Sequence, residues 1–356
     1  RMENTSMDVS TSLPLLEGTT FLDKTTNGPQ PVFDSGRLAM IYIGTGVVGL
    51  IGNFLVVVVM LSSPSVRKKT SNMYIIHQSI IDGLVSVALI STARITPAPD
   101  NYGILGYLNC LVWQTKLLLW ILLLCSTYNL VVLTIERYLE IIFPIYHKLH
   151  FTRTKATLSL ISVWVFSIAF DLAGKAPTTY TENGQCHFIA RWPSNTARRV
   201  YGIWVVVVKF FIPLLVLIYC YGHIAVMLQK RIQNAPSNGQ ATPAERSRNA
   251  QASRLQRGKR NTIKTLALVA TAFVLCWSCN QFYFLFYNIG YNLSLKSDFY
   301  HISVILDFCN SCINPFIYVF KFEQFQEAAR RLLSIIFRKY RPNQVVPVDM
   351  SLATVS

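Results

Sequence analysis

Four polar side chains that could ligate a cation or share a proton lie deep inside apolar stretches of the chain. They are Asp82, Ser126, Asn310 and Asn314, and the two asparagines are four positions apart, so they share one face of a helix. A carboxylate surrounded by hydrocarbon must be protonated or paired. Hydroxyl and amide oxygens converging on Asp82 would form an oxygen-rich site for a small hard cation. The alternative is a neutral hydrogen-bond network around protonated Asp82.

A proline interrupts one of these apolar stretches near the end of the chain. Pro315 follows Asn314 and precedes Tyr318 by three residues. Proline inside a helix leaves one backbone carbonyl without its partner, and lipid cannot satisfy an asparagine amide. The combination indicates a helix that bends and that holds water or an ion.

A third group with possible chemistry lies at the end of another apolar stretch, where Glu136, Arg137 and Tyr138 are consecutive. An arginine beside a carboxylate can be held by it or released to bind a partner. The tripeptide therefore predicts either a structural ion pair or a site that opens and closes.

Membrane-spanning helices are needed to position these residues. The chain has 356 residues, of which 52% are hydrophobic and only 14% are charged, whereas soluble domains carry about 25% charged residues. Seven apolar runs reach the roughly 20 residues that cross a bilayer as a helix. They are 38–61, 72–92, 111–142, 157–172, 200–227, 262–287 and 301–320. The predicted fold is all-α, a seven-transmembrane helix bundle, and the long uncharged runs disfavour the alternative of buried helices in a soluble protein.

Basic residues collect between the runs, which predicts the orientation of the chain. The 33 Lys and Arg residues outnumber the 17 Asp and Glu residues, and they cluster in 67–69, 148–155, 230–260 and after residue 320. These connections are predicted to be cytoplasmic, which places the N-terminus outside. Because the basic residues avoid the apolar runs, we expect no nucleic-acid partner. The stretch 233–253 is rich in Asn, Pro, Ser, Ala and Arg, and is predicted to be a linker without a fold of its own.

Four residues on the predicted outer side carry features of an extracellular surface. Asn4 and Asn292 lie in glycosylation sequons. Cys110 and Cys186 also fall outside, where oxidising conditions favour a disulfide between them. Two free thiols are the alternative.

Together the motifs resemble those of the rhodopsin-like (class A) G-protein-coupled receptors, over about residues 38–337. They occur in order, at least one in each run: Gly52-Asn53, Asp82, Cys110 with Glu136-Arg137-Tyr138, Trp164, Pro213 with Tyr221, Cys276-Trp277, and Asn314-Pro315-Phe316-Ile317-Tyr318. The resemblance implies a plasma-membrane receptor without enzymatic activity. Its expected parts are an extracellular segment (1–37), a receptor domain (38–320), an amphipathic helix on the membrane surface (321–338) and a cytoplasmic tail (339–356).

The resemblance also implies roles for individual residues. Asp82, Ser126, Asn310 and Asn314 would hold an allosteric sodium ion, and no other cofactor is expected. Trp277 would form the floor of a ligand pocket. The residues implied in G-protein coupling and activation are Glu136, Arg137, Tyr138, Tyr221, Trp277, Pro315 and Tyr318.

The chain departs from the receptor pattern in the sixth run. Cys279 stands where the family has a proline, so a kink there needs another cause. Either this helix is straighter, or Ser278, a water or packing supplies the bend. Because Pro315 is retained, we expect the seventh helix to carry more of the conformational switch.

A second departure concerns the arginine motif. Lys259 and Arg260 stand at the start of the sixth helix, where an acidic residue often pairs with the motif arginine. We hypothesise that Glu140 bridges the third helix to Lys259 or Lys264. A solvated surface carboxylate is the alternative.

Residues missing from the predicted pocket limit the class of ligand. Amine receptors carry an aspartate seven residues after the third-helix cysteine, where this chain has Leu117, and opsins carry a lysine seven residues before Pro315, where it has Phe308. The predicted ligand contacts mix aromatic, aliphatic, amide and basic groups: Arg94, Gln114, Leu117, Leu118, Ile121, Lys209, Asn280, Gln281, Phe284, Tyr300 and Val304. Such a mixture is typical of peptide receptors, so we predict an extracellular (neuro)peptide ligand.

Alternatives remain for the ligand and for two charged residues. A lipid or other small molecule is favoured by the apolar residues of the pocket. Lys209 either pairs with Asp171 or meets a ligand carboxylate, and Arg94 either meets an acidic group of a peptide or snorkels to the membrane edge. A transporter is the alternative from another class, although no internal repeat is visible.

Apolar residues recur at spacings of three and four after Lys321, with arginines between them, which predicts an amphipathic helix against membrane lipids. The predicted partners are a peptide, a heterotrimeric G protein, membrane lipids and arrestin.

Overall fold

The computed structural model of the protein describes residues 35–67, 69–94, 103–188, 191–233, 243–294 and 297–340. Within these residues, seven helices are long and apolar enough to cross a membrane: Gly36–Ser62, Thr70–Arg94, Leu117–Ile142, Arg153–Lys175, Asn195–Met227, Ile263–Ile289 and Asp298–Lys321. We call them spans one to seven. The predicted all-α fold with seven spans is confirmed.

Several helices extend beyond their spans or are interrupted. The first helix is Ser35–Ser62, and the fifth consists of Asn195–Val206, a π-helical segment Val207–Phe211 and Ile212–Gln233. The sixth is Pro243–Ile289, and a C-terminal helix Glu323–Tyr340 follows span seven. Short helices Pro64–Arg67, Gly103–Leu108 and Pro144–His150 lie in the connections, and strands Tyr180–Glu182 and Gln185–His187 form an antiparallel pair.

The stretch between spans five and six is more helical than the sequence predicted. The sixth helix begins at Pro243, inside the predicted linker 233–253. Proline suits the first turn of a helix, where its missing N–H costs nothing, and the alanines, glutamines and arginines that follow favour helix. Residues 234–242 lie outside the described part of the chain.

Span one packs closely on spans two and seven because glycines face them. A Cβ at Gly49 would lie 2.5 Å from Ser86 Oγ and 2.9 Å from Cys312 Sγ, and one at Gly52 would lie 3.0 Å from Pro315 Cβ. Small residues let helix backbones approach each other within a membrane. The glycines therefore bring span one against the proline of span seven.

Span three does not begin where the sequence predicted. The predicted run 111–142 is interrupted by a π-helical segment, Asn109–Gln114, and by Lys116, whose φ of 53° is left-handed. The regular helix starts at Leu117. The break changes the helical phase, so a count from Cys110 does not give the face on which later residues lie.

The predicted disulfide joins Cys110 to Cys186, with the two Cα atoms 5.5 Å apart. Cys186 lies in the second strand, so the bond ties the connection after span four to the start of span three.

Large apolar residues cover both the interior and the outer surface of the bundle. Trp277 and Phe273 are fully buried, whereas Phe54 and Leu275 are 67% and 69% exposed. A water-soluble protein rarely exposes so much apolar surface. The outer surface therefore fits a lipid environment.

Candidate functional site

The carboxylate of Asp82 lies at the centre of the bundle and accepts hydrogen bonds from three spans. Asp82 is fully buried. Ser126 Oγ of span three donates to Oδ1 at 2.8 Å, and Asn314 Nδ2 of span seven donates to Oδ2 at 2.8 Å. Asn310 is also buried, but its Oδ1 accepts no hydrogen bond within the described part of the chain. Three of the four predicted cation ligands are thus together.

Gln78, which the sequence analysis did not select, lies within the same group of side chains. Its Nε2 is 3.2 Å from Asp82 Oδ1 and 3.1 Å from Oδ2, and it also donates to Ser126 Oγ. Gln78 is four residues before Asp82, so the two share a face of span two. That spacing was visible in the sequence, but an amide is less conspicuous in a membrane helix than a carboxylate.

The backbone carbonyl that Pro315 leaves unpaired is that of Ser311, four residues earlier. Asn53 Nδ2 donates to this carbonyl at 3.0 Å and to the Gly49 carbonyl at 2.9 Å. Asn53 is fully buried. An amide of span one therefore replaces the hydrogen bond that the proline removes from span seven.

Arg137 near the C-terminal end of span three is held by two carboxylates. Its Nη1 is 2.7 Å from Glu140 Oε2, and its Nε is 3.5 Å from Glu136 Oε2. Glu136 is itself fixed, since its Oε1 lies 3.0 Å from His147 Nε2 and accepts a hydrogen bond from Ser71. Arg137 is 7% exposed and is therefore largely shielded from solvent.

Glu140 pairs with Arg137 on its own helix, and the hypothesised bridge to Lys264 is absent from the contacts of the described residues. Lys264 is exposed, and the side chain of Lys259 lies outside the described part of the chain. The physical reason is proximity, because residues three apart are neighbours on a helix surface. Glu140 thus takes the position of a counter-charge for the arginine.

The start of span six and the end of span seven are joined by neutral hydrogen bonds. Thr265 Oγ1 lies 2.9 Å from the Lys321 carbonyl, and Asn261 Nδ2 lies 3.2 Å from the same oxygen. This carbonyl belongs to the last turn of span seven, where backbone acceptors lack helical partners. We call this contact the Thr265 latch.

The other predicted activation residues lie around Arg137 and the latch. Tyr221 OH is 3.2 Å from Thr134 Oγ1, Tyr138 OH is 3.0 Å from His223 Nδ1, and Tyr318 is buried against Phe322. Spans three and five are thereby connected near their C-terminal ends.

The sixth helix is continuous through Cys279. Ser278 donates a hydrogen bond to the Val274 carbonyl, one turn earlier. Serine bonds of this kind often bend helices. A bond from Ser278 was one of the causes considered for a bend in this helix, and it is present among the described contacts.

Comparison with known proteins places this geometry in a family. The family described as 7 transmembrane receptor (rhodopsin family) matches residues 52–318. The chain belongs to this family. It is a receptor and not an enzyme.

Individual relatives of this receptor include somatostatin and galanin receptors. Somatostatin receptor type 3 of Rattus norvegicus is 30% identical over 328 residues, which cover 86% of this chain and 70% of that receptor. Galanin receptor type 1 of Rattus norvegicus is 24% identical over 313 residues, covering 85% of each chain. The crystal structure of squid rhodopsin shares the fold, with a TM-score of 0.66, 20% identity and coverage of 87% and 88% of the two chains.

The predicted ligand contacts of the receptor differ in where they face. Leu117, Ile121, Asn280, Gln281 and Val304 are buried within the bundle. The half-buried contacts are Gln114, Phe284 and Tyr300. Arg94 is exposed at the end of span two.

Leu118 does not face the interior of the receptor. It is 52% exposed and lines an outer groove between spans two, three and four. The prediction counted seven or eight residues from Cys110, and the break at Lys116 makes that count unreliable. Leu118 therefore faces lipid instead of a central ligand.

Two buried lysines of the receptor lie close to the buried carboxylate of Asp171. Lys209 Nζ is 2.7 Å from Asp171 Oδ1, and Lys175 Nζ is 4.0 Å from the same oxygen. Both ammonium groups also lie over the ring of Trp120. The ion pair between Lys209 and Asp171, one of the two roles considered for Lys209, is therefore present. Asp307 of span seven is fully buried, and neither of its carboxylate oxygens has a hydrogen-bond partner among the described residues.

One of the two predicted glycosylation sites falls within the described residues. Asn292 is exposed in the connection between spans six and seven. Asn4 lies outside the described residues.

Proposed function

We propose that this receptor binds an extracellular neuropeptide and, in response, opens its cytoplasmic face to activate a heterotrimeric G protein. The names of the somatostatin and galanin receptors support a peptide ligand. The observation that carries the signalling role is Arg137, which is buried and held by Glu136 and Glu140 at the end of span three. A charge held in this way can be exposed to a partner when its two carboxylates move.

The proposed mechanism is a shift between two packings of the bundle. A ligand favours the state that it contacts better and cannot shift an equilibrium by more than its difference in affinity. In the state described here, the Thr265 latch holds span six to span seven. We infer that the peptide favours a packing in which the latch is broken and Arg137 is accessible.

The proposed location is the plasma membrane, with the N-terminus outside. The C-terminal helix supports this orientation, because Phe322, Phe325 and Ala328 pack on the bundle while Ile335 and Phe337 are 64% and 66% exposed. An apolar face of this kind suits the inner leaflet. Binding of arrestin to the receptor is a further proposal. It can be measured alongside activation of the G protein.

Two assays test the proposal together. Cells expressing the receptor are screened with a peptide library, and calcium and cyclic AMP are measured in the same wells. Purified receptor is then assayed for nucleotide exchange with a member of each G-protein family. We expect a peptide to stimulate exchange in one family.

The matched control for these assays is Arg137→Ala, which removes the proposed contact with the G protein but lies far from the extracellular side. It should bind the peptide and fail to stimulate exchange. Stimulation by lipids alone would favour the alternative ligand class. Substrate flux in liposomes without exchange in any G-protein family would contradict the proposal.

A further inference from the structure

A continuous chain of hydrogen bonds, half-buried at Trp164 and His77 and buried beyond them, leads from span four to Asp82. Trp164 Nε1 lies 2.9 Å from His77 Nε2, and His77 Nδ1 lies 2.9 Å from Asn129 Oδ1. Asn129 Nδ2 lies 2.7 Å from Gln78 Oε1, and Gln78 Nε2 lies within 3.2 Å of both oxygens of Asp82. The chain connects spans two, three and four. Which atom donates and which accepts in each of these bonds determines whether the oxygen or the nitrogen of the Gln78 amide faces Asp82.

One end of the chain fixes the direction because an indole N–H can only donate. His77 Nε2 must therefore accept from Trp164, which leaves the ring proton of neutral His77 on Nδ1. This N–H donates to Asn129 Oδ1. The side-chain amide of Asn129 is then oriented with Nδ2 toward Gln78.

A backbone carbonyl independently fixes the same orientation of the Asn129 amide. Asn129 Nδ2 also lies 3.1 Å from the carbonyl oxygen of Tyr74, which can only accept. Asn129 therefore offers an N–H to Gln78 as well, and the atom of Gln78 that faces it must be Oε1. Gln78 Nε2 is left pointing at Asp82, and a rotated amide would break its bond with Asn129.

The donors around Asp82 do not fit a sodium ion. A carboxylate has about four lone-pair sites, and Asp82 accepts from Ser126, from Asn314 and, with both oxygens, from Gln78. A cation prefers oxygen ligands and would share Asp82 Oδ1 and Ser126 Oγ with the Gln78 N–H group, whose positive end repels it. Gln78 is 3% exposed, so it has no open space into which to withdraw.

We propose that the amide of Gln78, held by Asn129, occupies the cation position beside Asp82, so that this receptor does not bind sodium there. The charge of Asp82 is stabilised by neutral donors of the protein instead of an ion from the solution. The packing described here is then independent of sodium concentration. This inference concerns the bundle alone and does not depend on the ligand or the G protein.

Thermal unfolding of purified receptor tests the inference without any ligand. The midpoint Tm is measured in sodium chloride and in choline chloride at equal concentration, which separates sodium from ionic strength. An ion that binds only the folded state of a protein raises its Tm. We expect the Tm of the wild-type receptor to be the same in the two salts.

Two substitutions make the role of Gln78 testable. Gln78→Leu removes the N–H donors and keeps a similar volume, so a sodium-dependent rise in Tm of about 2–4 °C should appear. Gln78→Glu keeps an acceptor for Asn129 and adds a carboxylate beside Asp82, so it should respond at least as strongly. If either Gln78→Leu or Gln78→Glu does not fold, the other variant is sufficient for the test. The control Gln78→Leu/Asp82→Asn should lose the response.

Each outcome decides for or against the inference. Equal Tm values for the wild type in the two salts, with a sodium response in either variant, support it. A sodium-dependent Tm in the wild type equal to that of Gln78→Leu overturns it. Absence of a response in every variant also overturns it, because Gln78 would then not be the group that excludes the ion.

Discussion

At the scale of single residues, the proline of span seven is tolerated because another helix supplies its missing hydrogen bond. Pro315 frees the Ser311 carbonyl, and Asn53 donates to it across the contact between spans one and seven. Gly52 allows this contact, since any side chain there would meet the proline ring. The sequence indicated that Pro315 would leave a carbonyl unpaired, but it could not show that Asn53 lies opposite.

We expect Asn53→Ala to destabilise the receptor by about 1–3 kcal/mol, the usual cost of leaving a buried polar group without its partner. Thermal unfolding of purified receptor measures the effect. Ser162→Ala is the matched control, because the Ser162 hydroxyl is on an exposed face and bonds only to the carbonyl of Ser159 on its own helix. Equal Tm values for the two variants would contradict the assignment.

The carboxylate of Glu140 gives a second prediction at this scale. Glu140→Gln removes the charge 2.7 Å from Arg137 Nη1, so the arginine should be released more often. Because the pair is partly exposed and worth about 0.2–1 kcal/mol, basal nucleotide exchange should rise by no more than about fivefold. Glu327→Gln, which changes an exposed carboxylate of the C-terminal helix, is the control. Unchanged basal exchange in Glu140→Gln would refute the role.

At the scale of helices, the seven spans could be predicted from composition and length, but the break in span three could not. Residues 109–116 contain neither proline nor glycine, and Lys116 adopts a left-handed conformation that is uncommon for a residue other than glycine. Leu118 was therefore assigned to the pocket although it faces lipid. Motif residues near the centre of a span, such as Asp82 and Asn314, do lie inside the bundle, because helical spacing within an unbroken segment is regular.

Span six is joined to span seven by neutral hydrogen bonds. Lys259 and Arg260 stand where the family often has an acid, and the described contacts include the Thr265 latch to span seven. We expect Thr265→Val, which keeps the shape and removes the hydroxyl, to raise basal nucleotide exchange by about two- to tenfold, the equivalent of one hydrogen bond.

Thr271→Val is the matched control for the latch. Thr271 lies on the same helix and bonds to the carbonyl of Ala267, one turn earlier, at an exposed position. Its basal exchange should equal that of the wild type. The same rise in both variants would show that the helix, and not the latch, had been disturbed.

At the scale of the whole molecule, polar side chains connect the spans at several depths. Asp171 and Lys209 join spans four and five, Asp82 joins spans two, three and seven, and Arg137 lies at the cytoplasmic end. Each group was suggested by its charge in an apolar run. The partners Gln78, Asn129 and His77 were not predicted, because their arrangement depends on how the spans face one another.

The contrast between spans six and seven gives the last prediction. Span six has Cys279 in place of proline, whereas span seven keeps Pro315, so we expect span seven to carry much of the conformational switch. Pro315→Ala restores an N–H that can bond to the Ser311 carbonyl within the helix, and the bond from Asn53 then becomes redundant. The variant should favour the closed packing. In a background with raised basal exchange, either Glu140→Gln or Thr265→Val, it should return exchange to the wild-type level.

Phe316→Ala is the control for this substitution, since Phe316 is the next residue and is 52% exposed to the outside of the bundle. It should leave the raised exchange unchanged at equal receptor levels in the membrane. If Pro315→Ala also left it unchanged, the hinge of span seven would not be needed for opening. The bend would then have to come from span six, where the Ser278 bond to the Val274 carbonyl is the remaining candidate cause among the described contacts.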